Sequence, residues 1–98
     1  MATKSNKMPI EQAQGVALRC VAEVGGQNPQ VDDALNTVGI PDPLAVQALT
    51  REIVHGDGGV RQDGFTMRTA DFSSIKPSSI VDDVAEIIHK KAEPRKRR

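Results

Sequence analysis

Apolar residues recur every three or four positions in three stretches of this chain, which is the period of one face of an α-helix. The first stretch predicts a helix over residues 9–24, because Pro9 is tolerated in a first turn and the pair Gly25-Gly26 ends the pattern. Cys20 lies on the apolar face and is therefore predicted to be a buried small hydrophobic residue rather than a nucleophile. Gly15, which weakens the helix interior, is expected to mark a close packing contact.

Two further helices are predicted from their start signals. Asp42 can cap a helix whose first residue is Pro43, and the apolar stripe that follows ends by Gly56. Ser79 can cap the last helix, with Asp82 three residues later as the acid of a capping box. The predicted buried face of this last helix consists of Ile80, Val84, Ile87 and Ile88.

The connections between these helices contain few signals of regular structure. Residues 25–42 are predicted to be a long connection, and residues 55–64, with four glycines and no apolar period, to be a mobile loop. One short helical turn is expected over residues 69–75, with Phe72 and Ile75 facing inward. No strand is predicted. The fold class is therefore all-α, a small bundle of three main helices plus one short helix.

Composition narrows the functional classes. A length of 98 residues allows one domain. The aromatic content is 2%, so the core must be aliphatic and a base-stacking platform for single-stranded nucleic acid is disfavoured. A single cysteine excludes an internal disulfide and a multi-thiolate zinc site. Since no apolar run approaches the roughly 20 residues of a membrane span and the first residues do not resemble a signal peptide, a cytoplasmic protein without a membrane span is expected.

The formal net charge of zero conceals an uneven distribution. Residues 9–89 carry five Lys or Arg and twelve Asp or Glu, a net charge of −7. Residues 1–8 contribute +2, and residues 90–98, Lys-Lys-Ala-Glu-Pro-Arg-Lys-Arg-Arg, contribute +5. The predicted organisation is a disordered arm over 1–8, an acidic helical bundle over 9–89 and a basic flexible tail over 90–98.

No catalytic or metal site can be assembled from the sequence. The loop at 55–64 lacks the Lys-Ser/Thr of a phosphate loop and the bidentate glutamate of a calcium loop. His55 and His89 have no suitably spaced partner and are interpreted as cations near helix C-termini. The pairs Asp32-Asp33 and Asp82-Asp83 lie close to predicted helix starts, where acids are favoured electrostatically. The chain is predicted not to be an enzyme and to bind no metal.

Two stretches resemble the acyl carrier protein family. Residues 35–49, Leu-Asn-Thr-Val-Gly-Ile-Pro-Asp-Pro-Leu-Ala-Val-Gln-Ala-Leu, resemble the carrier's loop into its second helix, where Gly-x-Asp-Ser-Leu precedes an aliphatic helix. Residues 75–88, Ile-Lys-Pro-Ser-Ser-Ile-Val-Asp-Asp-Val-Ala-Glu-Ile-Ile, resemble the start and stripe of the carrier's last helix. The resemblance extends over residues 9–91 and implies an acyl-carrier-like bundle.

The chain departs from this family at the attachment position. Pro43 replaces the serine that carries 4′-phosphopantetheine in carriers, and Pro41 is an extra residue before Asp42. The resemblance therefore implies a non-catalytic, carrier-like interaction module without this cofactor. Its implied partner is a protein, for example a lipid or polyketide synthesis enzyme. The residues expected to meet this partner are Asp42, Leu44, Gln47 and Glu52.

The basic tail supports a different hypothesis, in which the bundle is a scaffold. A short cationic cluster can contact nucleic acid, another polyanion, an anionic membrane face or an acidic protein, or can serve only to keep the chain soluble. The chain would then be a small helical adaptor. The residues expected to bind the polyanion are Lys90, Lys91, Arg95, Lys96, Arg97 and Arg98.

Overall fold

A computed structural model describes residues 7–95 of the chain, which are largely α-helical as predicted. Within this range there are three α-helices, α1 (Ile10–Gly25), α2 (Pro43–His55) and α3 (Val81–Lys91). Three short 3-10 helices connect them, η1 (Leu35–Thr37), η2 (Val60–Asp63) and η3 (Thr69–Phe72). A two-stranded antiparallel sheet pairs β1 (Phe65–Thr66) with β2 (Glu93–Pro94).

The apolar face of α1 packs against α3 and α2. The residues of α1 that the structure buries are those of the predicted stripe, Ala13, Val16, Ala17, Cys20 and Val21. Gly26 ends the helix in the left-handed conformation, with φ of 74°, and its backbone N–H donates to the Ala22 carbonyl. The expectation for Gly15 is wrong, because this residue is exposed and, within residues 7–95, no neighbouring element lies within 4 Å of a Cβ placed on it.

The start of α2 agrees with the predicted capping. Asp42 has an extended backbone, and its Oδ1 accepts a hydrogen bond of 2.9 Å from the Ala45 backbone N–H. Pro43 then occupies the first helical position, where a missing N–H leaves no bond unmade. Asp42 therefore satisfies one of the donors that the first turn leaves free.

The start of α3 lies one residue later than the predicted one. Ile80 is the capping residue, and its backbone N–H donates to Asp83 Oδ2 at 3.1 Å, so Asp83 rather than Asp82 acts as the acid. Ser79 is held in the preceding turn, where its Oγ accepts from the Lys76 N–H and its carbonyl accepts from the Leu35 N–H. The hydrogen bond between the Leu35 N–H and the Ser79 carbonyl keeps Ser79 outside the helix. A capping rule that considers only neighbouring residues does not include such a distant contact.

The core of the described residues is aliphatic, as the composition predicts. Its largest fully buried side chains are Met8, Leu35, Ile40, Leu49, Ile53 and Ile88. Met8 falls in the segment predicted to be disordered, yet its side chain is fully buried and its carbonyl lies 2.6 Å from His89 Nδ1. The remainder of the predicted arm, residues 1–6, lies outside the described part of the chain.

The structure also differs from the prediction at the C-terminal end. Lys90 and Lys91 belong to α3, Ala92 is buried, and Glu93 and Pro94 pair with Thr66 and Phe65. A strand of two residues has no hydrophobic period, so the sequence contains no signal for this sheet. Residues 96–98 lie outside the described range.

The glycine-rich segment between α2 and β1 packs against the body of the protein. Val60 is fully buried at the start of η2. Arg19 of α1 reaches this segment with two hydrogen bonds, from Nε to the Gly58 carbonyl at 2.6 Å and from Nη2 to the Gly59 carbonyl at 3.4 Å. The segment predicted as a mobile loop is thus attached to α1 and to the core. Across residues 7–95, no helix is long and apolar enough to span a membrane.

Candidate functional site

The N-terminal end of α2 presents an apolar residue to solvent. Leu44 is 74% exposed and is the sole large hydrophobic side chain that is exposed within residues 7–95. It follows Pro43, whose place in the helix is the one at which the resemblance would put an attachment serine. Burying a leucine completely is worth about 1.5–3 kcal/mol, so a partner that covers Leu44 gains affinity from it.

A groove of about 620 Å³ lies between α2 and residues 69–77, which comprise η3 and the turn after it. Pro43, the residue before Leu44, lines this groove, whereas Leu44 does not. Its apolar lining comes from both sides, with Pro43 and Val46 on α2 and Ala70, Phe72, Ile75 and Pro77 opposite. The prediction that Phe72 faces inward is confirmed, since it is buried, whereas Ile75 is half-buried against the core and lines the groove.

The polar residues of this groove lie on its walls. Gln47, Arg51 and Lys76 are exposed side chains that could contact a bound partner. The Thr50 hydroxyl is buried and already donates to the Val46 carbonyl at 3.0 Å, so it contributes shape rather than a free hydrogen bond. The groove can therefore receive an apolar group and offer hydrogen bonds and positive charge at its edge.

The structure brings together three of the four residues expected to meet a partner protein. Asp42, Leu44 and Gln47 lie within the first turns of α2, and Gln47 lines the groove. Glu52 is placed elsewhere. It lines a second cavity of about 610 Å³ together with Arg19, Glu23, Gly56, Asp57, Gly58 and Gln62. The acidic pair Asp42 and Glu52 therefore does not form one continuous acidic patch.

The second cavity is polar, and the Arg19 side chain forms part of its lining. Besides its hydrogen bonds to the glycine-rich segment, Arg19 Nη2 lies 3.7 Å from Asp63 Oδ1. Gln12 Nε2 also donates to Asp63, at 3.1 Å. Within the described range, no group of three or more His, Cys, Asp or Glu side chains is arranged to hold a metal ion.

Cys20 is buried next to this cavity, which confirms its predicted packing role. Its Sγ lies 3.5 Å from the Gly58 carbonyl. Burial raises the pKa of the Cys20 thiol to about 12, and the nearby carboxylate of Glu52 acts in the same direction. A thiol with this pKa is protonated at neutral pH and is a poor nucleophile.

The two histidines lie in the last turns of their helices, as expected for residues near helix C-termini. His55 is the last residue of α2 and is exposed. His89 lies in the last turn of α3, and the short distance from its Nδ1 to the Met8 carbonyl means that this nitrogen carries the hydrogen. The two side chains are on different helices and do not combine into one site.

The cations of the predicted tail divide into two groups. Lys90 and Lys91 are exposed in the last turn of α3, and Arg95 is exposed directly after β2. Lys96, Arg97 and Arg98 lie outside the described residues. Sequence reasoning did not anticipate that Arg61 would lie beside Arg95, whose Nη1 donates to the Arg61 carbonyl at 3.3 Å.

The groove between α2 and residues 69–77 was also not predicted. Its two walls, residues 43–51 and 69–77, are separated by 17 residues in the sequence, and each wall taken alone has the pattern of an ordinary helix or loop. Leu44 was no local signal for it, because the sequence places this residue in the apolar stripe predicted for α2, whereas the structure exposes it. No family model, curated protein or solved structure matches the chain.

Proposed function

We propose that this chain is a non-catalytic, acyl-carrier-like interaction module that lacks a phosphopantetheine arm and docks on a partner protein through the start of α2. The observation that carries the proposal is the exposed Leu44, which directly follows Pro43, a residue that lines an apolar groove. An apolar residue with a groove beside it forms a contact surface larger than a single exposed leucine. The partner implied by the resemblance is an enzyme of lipid or polyketide synthesis.

The residues of this docking surface are suited to a partner with both apolar and polar groups. Leu44 can enter an apolar pocket on the partner, while Val46 and Phe72 line the groove that receives an apolar side chain in return. Gln47 and Arg51 stand at the groove edge and can donate hydrogen bonds. The acidic residue on this surface is Asp42, which remains exposed while it caps α2.

The absence of the arm is tested by intact mass spectrometry. The full chain is co-expressed with a phosphopantetheinyl transferase, together with a conventional acyl carrier protein as a positive control. We expect the control to gain the mass of the arm and this chain to keep its unmodified mass. A mass gain on this chain would reject the proposal, and peptide mapping would then identify the modified hydroxyl.

The docking surface is tested by placing a photo-crosslinking amino acid at position 44 and, as a matched control, at position 15, which is exposed on α1. We expect the variant at 44, and not the one at 15, to crosslink to a protein when it is expressed in its native cells. With that protein purified, Leu44→Asp should weaken binding at least tenfold while leaving the melting temperature of the chain unchanged. Unaltered binding by Leu44→Asp would contradict the proposed surface.

A further inference from the structure

Exposed cations from two distant parts of the chain meet at the end that holds the small sheet. Arg95 is bound to the segment before β1 by two hydrogen bonds, from its backbone N–H to the Gly64 carbonyl at 2.9 Å and from its Nη1 to the Arg61 carbonyl at 3.3 Å. Arg61 itself is exposed on η2. These contacts place the Arg61 and Arg95 residues side by side, although 34 positions separate them in the sequence.

The end of α3 adds two more cations to the same part of the molecule. Lys90 and Lys91 are exposed in its last turn, and β2 follows after the single buried residue Ala92. Lys7 comes to this helix end from the N-terminal side, where its Nζ donates to the Lys90 carbonyl at 3.4 Å. We call Arg61, Lys90, Lys91 and Arg95 the basic surface.

The charge of the basic surface is not cancelled by neighbouring acids. Within residues 7–95, one ion pair has a nitrogen–oxygen distance below 4 Å, and it joins Arg19 to Asp63. None of the four cations of the basic surface is therefore paired with a carboxylate of the described residues. Asp63, which lies close to Arg61 in the sequence, is occupied by Arg19 and Gln12. Glu93 is exposed within the surface and offsets one of its four charges. In the sequence, Lys96, Arg97 and Arg98 follow Arg95 directly and add three cations.

We infer that the basic surface binds the phosphate backbone of duplex nucleic acid. Because residues 9–89 carry a net charge of −7, the bundle as a whole repels a polyanion, while the basic surface attracts it. The two aromatic residues of the described range are not exposed, since Phe72 is buried and Phe65 is half-buried. The exposed large apolar residue of this range, Leu44, lies on α2 and is not part of the basic surface. The surface therefore offers neither a stacking ring for unpaired bases nor an apolar residue for insertion into a lipid bilayer.

The inference is independent of the function proposed for α2, since the two surfaces share no residue. It also differs from binding by a flexible tail, because Lys90 and Lys91 belong to a helix, Arg61 belongs to η2, and Arg95 is held by hydrogen bonds. Preorganised cations lose less conformational freedom on binding than cations of an unstructured segment. The contacts involve phosphates only, so binding is expected to be independent of base sequence.

The test is fluorescence anisotropy of the full chain with a labelled 24-base-pair DNA duplex over a range of salt concentrations. Phosphate contacts by the four cations of the basic surface predict a slope near −3.6 for the logarithm of affinity against the logarithm of salt, or a loss of about 150-fold between 50 and 200 mM. Arg61→Ala should lower affinity several-fold and reduce the steepness of the slope by about 1. Arg51→Ala is the matched control, an exposed arginine on α2, and should change neither.

A second variant separates the basic surface from the residues that follow it. Replacing Lys96, Arg97 and Arg98 together by alanine should weaken binding but leave a salt-dependent interaction at 50 mM that Arg61→Ala weakens further. The inference is overturned if the triple variant no longer binds the duplex, or if Arg61→Ala and Arg51→Ala have equal effects. Tighter binding to vesicles containing phosphatidylserine than to the duplex at 100 mM salt would also overturn it.

Discussion

Arg19 Nε donates a hydrogen bond of 2.6 Å to the Gly58 carbonyl, which joins α1 to the glycine-rich segment after α2 across 39 positions of the sequence. The same guanidinium reaches the Gly59 carbonyl and lies near Asp63. A guanidinium carries several donors in a fixed planar arrangement and can therefore hold several acceptors of one loop at once. This contact explains why a segment with four glycines is folded against the bundle.

Removing this side chain should loosen the segment it holds. We expect Arg19→Ala to lower the free energy of unfolding by about 1 kcal/mol, because the lost hydrogen bonds are charge-assisted but partly exposed to water. Amide hydrogen exchange should accelerate over residues 56–64 more than elsewhere. Arg51→Ala, in which an exposed arginine is removed from α2, serves as the control and should leave both measurements unchanged. Equal exchange over residues 56–64 in Arg19→Ala and the wild type would contradict this role.

Two glycines allow the backbone after α1 to approach the connection before α2. Gly39 has φ of 92°, and a Cβ at this residue would overlap the Gly25 carbonyl. We expect Gly39→Ala to lower the free energy of unfolding by more than about 2 kcal/mol, since it combines an unfavourable backbone conformation with a backbone clash. Thermal and urea denaturation measure this change.

Gly15→Ala provides the matched comparison, because it makes the same substitution where nothing lies within 4 Å of the added Cβ. Alanine is favoured over glycine in a helix interior, so this variant should be more stable than the wild type by about 0.5–1 kcal/mol. If both glycine variants shifted stability in the same direction, the close approach at Gly39 would not be the cause.

Burial of Cys20 predicts a dependence of stability on alkaline pH. Below pH 9 the thiol is protonated in both the folded and the unfolded chain, so it adds no pH dependence. Between pH 9 and about 12 the unfolded thiol ionises while the folded one keeps its proton. The unfolded state then binds fewer protons, and stability falls by roughly 1 kcal/mol per pH unit.

The measurement is urea denaturation at several pH values between 8 and 11, for the wild type and for Cys20→Ala. Above pH 9 the stability of the variant should fall less steeply than that of the wild type, because the variant has no thiol to ionise. The lysines titrate equally in both proteins, so the difference between the two slopes measures the contribution of Cys20. In addition, 5,5′-dithiobis(2-nitrobenzoic acid) should react with the native wild type at neutral pH much more slowly than with the chain in urea. Equal reaction rates would show that the thiol is accessible in the folded protein.

The geometry around Pro43 predicts the result of restoring a hydroxyl at that position. Pro43 is exposed at the first position of α2, directly after the capping residue Asp42. If this helix start has the geometry of an acyl carrier, Pro43→Ser should acquire the phosphopantetheine arm from a transferase, as seen by intact mass. A folded Pro43→Ser variant that stays unmodified would argue against a carrier-like geometry. Leu44→Asp in the serine background is a control that should reduce modification.

Local patterns were sufficient to predict the helices. The spacing of apolar residues in α1 and the pair Asp42-Pro43 at the start of α2 are signals carried by residues within a few positions of one another. Helix formation depends on such neighbours, because its hydrogen bonds join residues four apart. The same locality explains the one-residue error at α3, where the distant residue Leu35 holds Ser79 outside the helix.

The amino-acid sequence by itself therefore determined the helical character of the protein, its aliphatic core, the burial of Cys20 and the separation of its charges. Only the tertiary structure decided the pairing of β1 with β2, the groove between α2 and residues 69–77, and the contact of Arg61 with Arg95. Each of these features joins segments that are far apart in the chain and too short to show a period. Their formation depends on how the helices pack, which no local pattern of residues records.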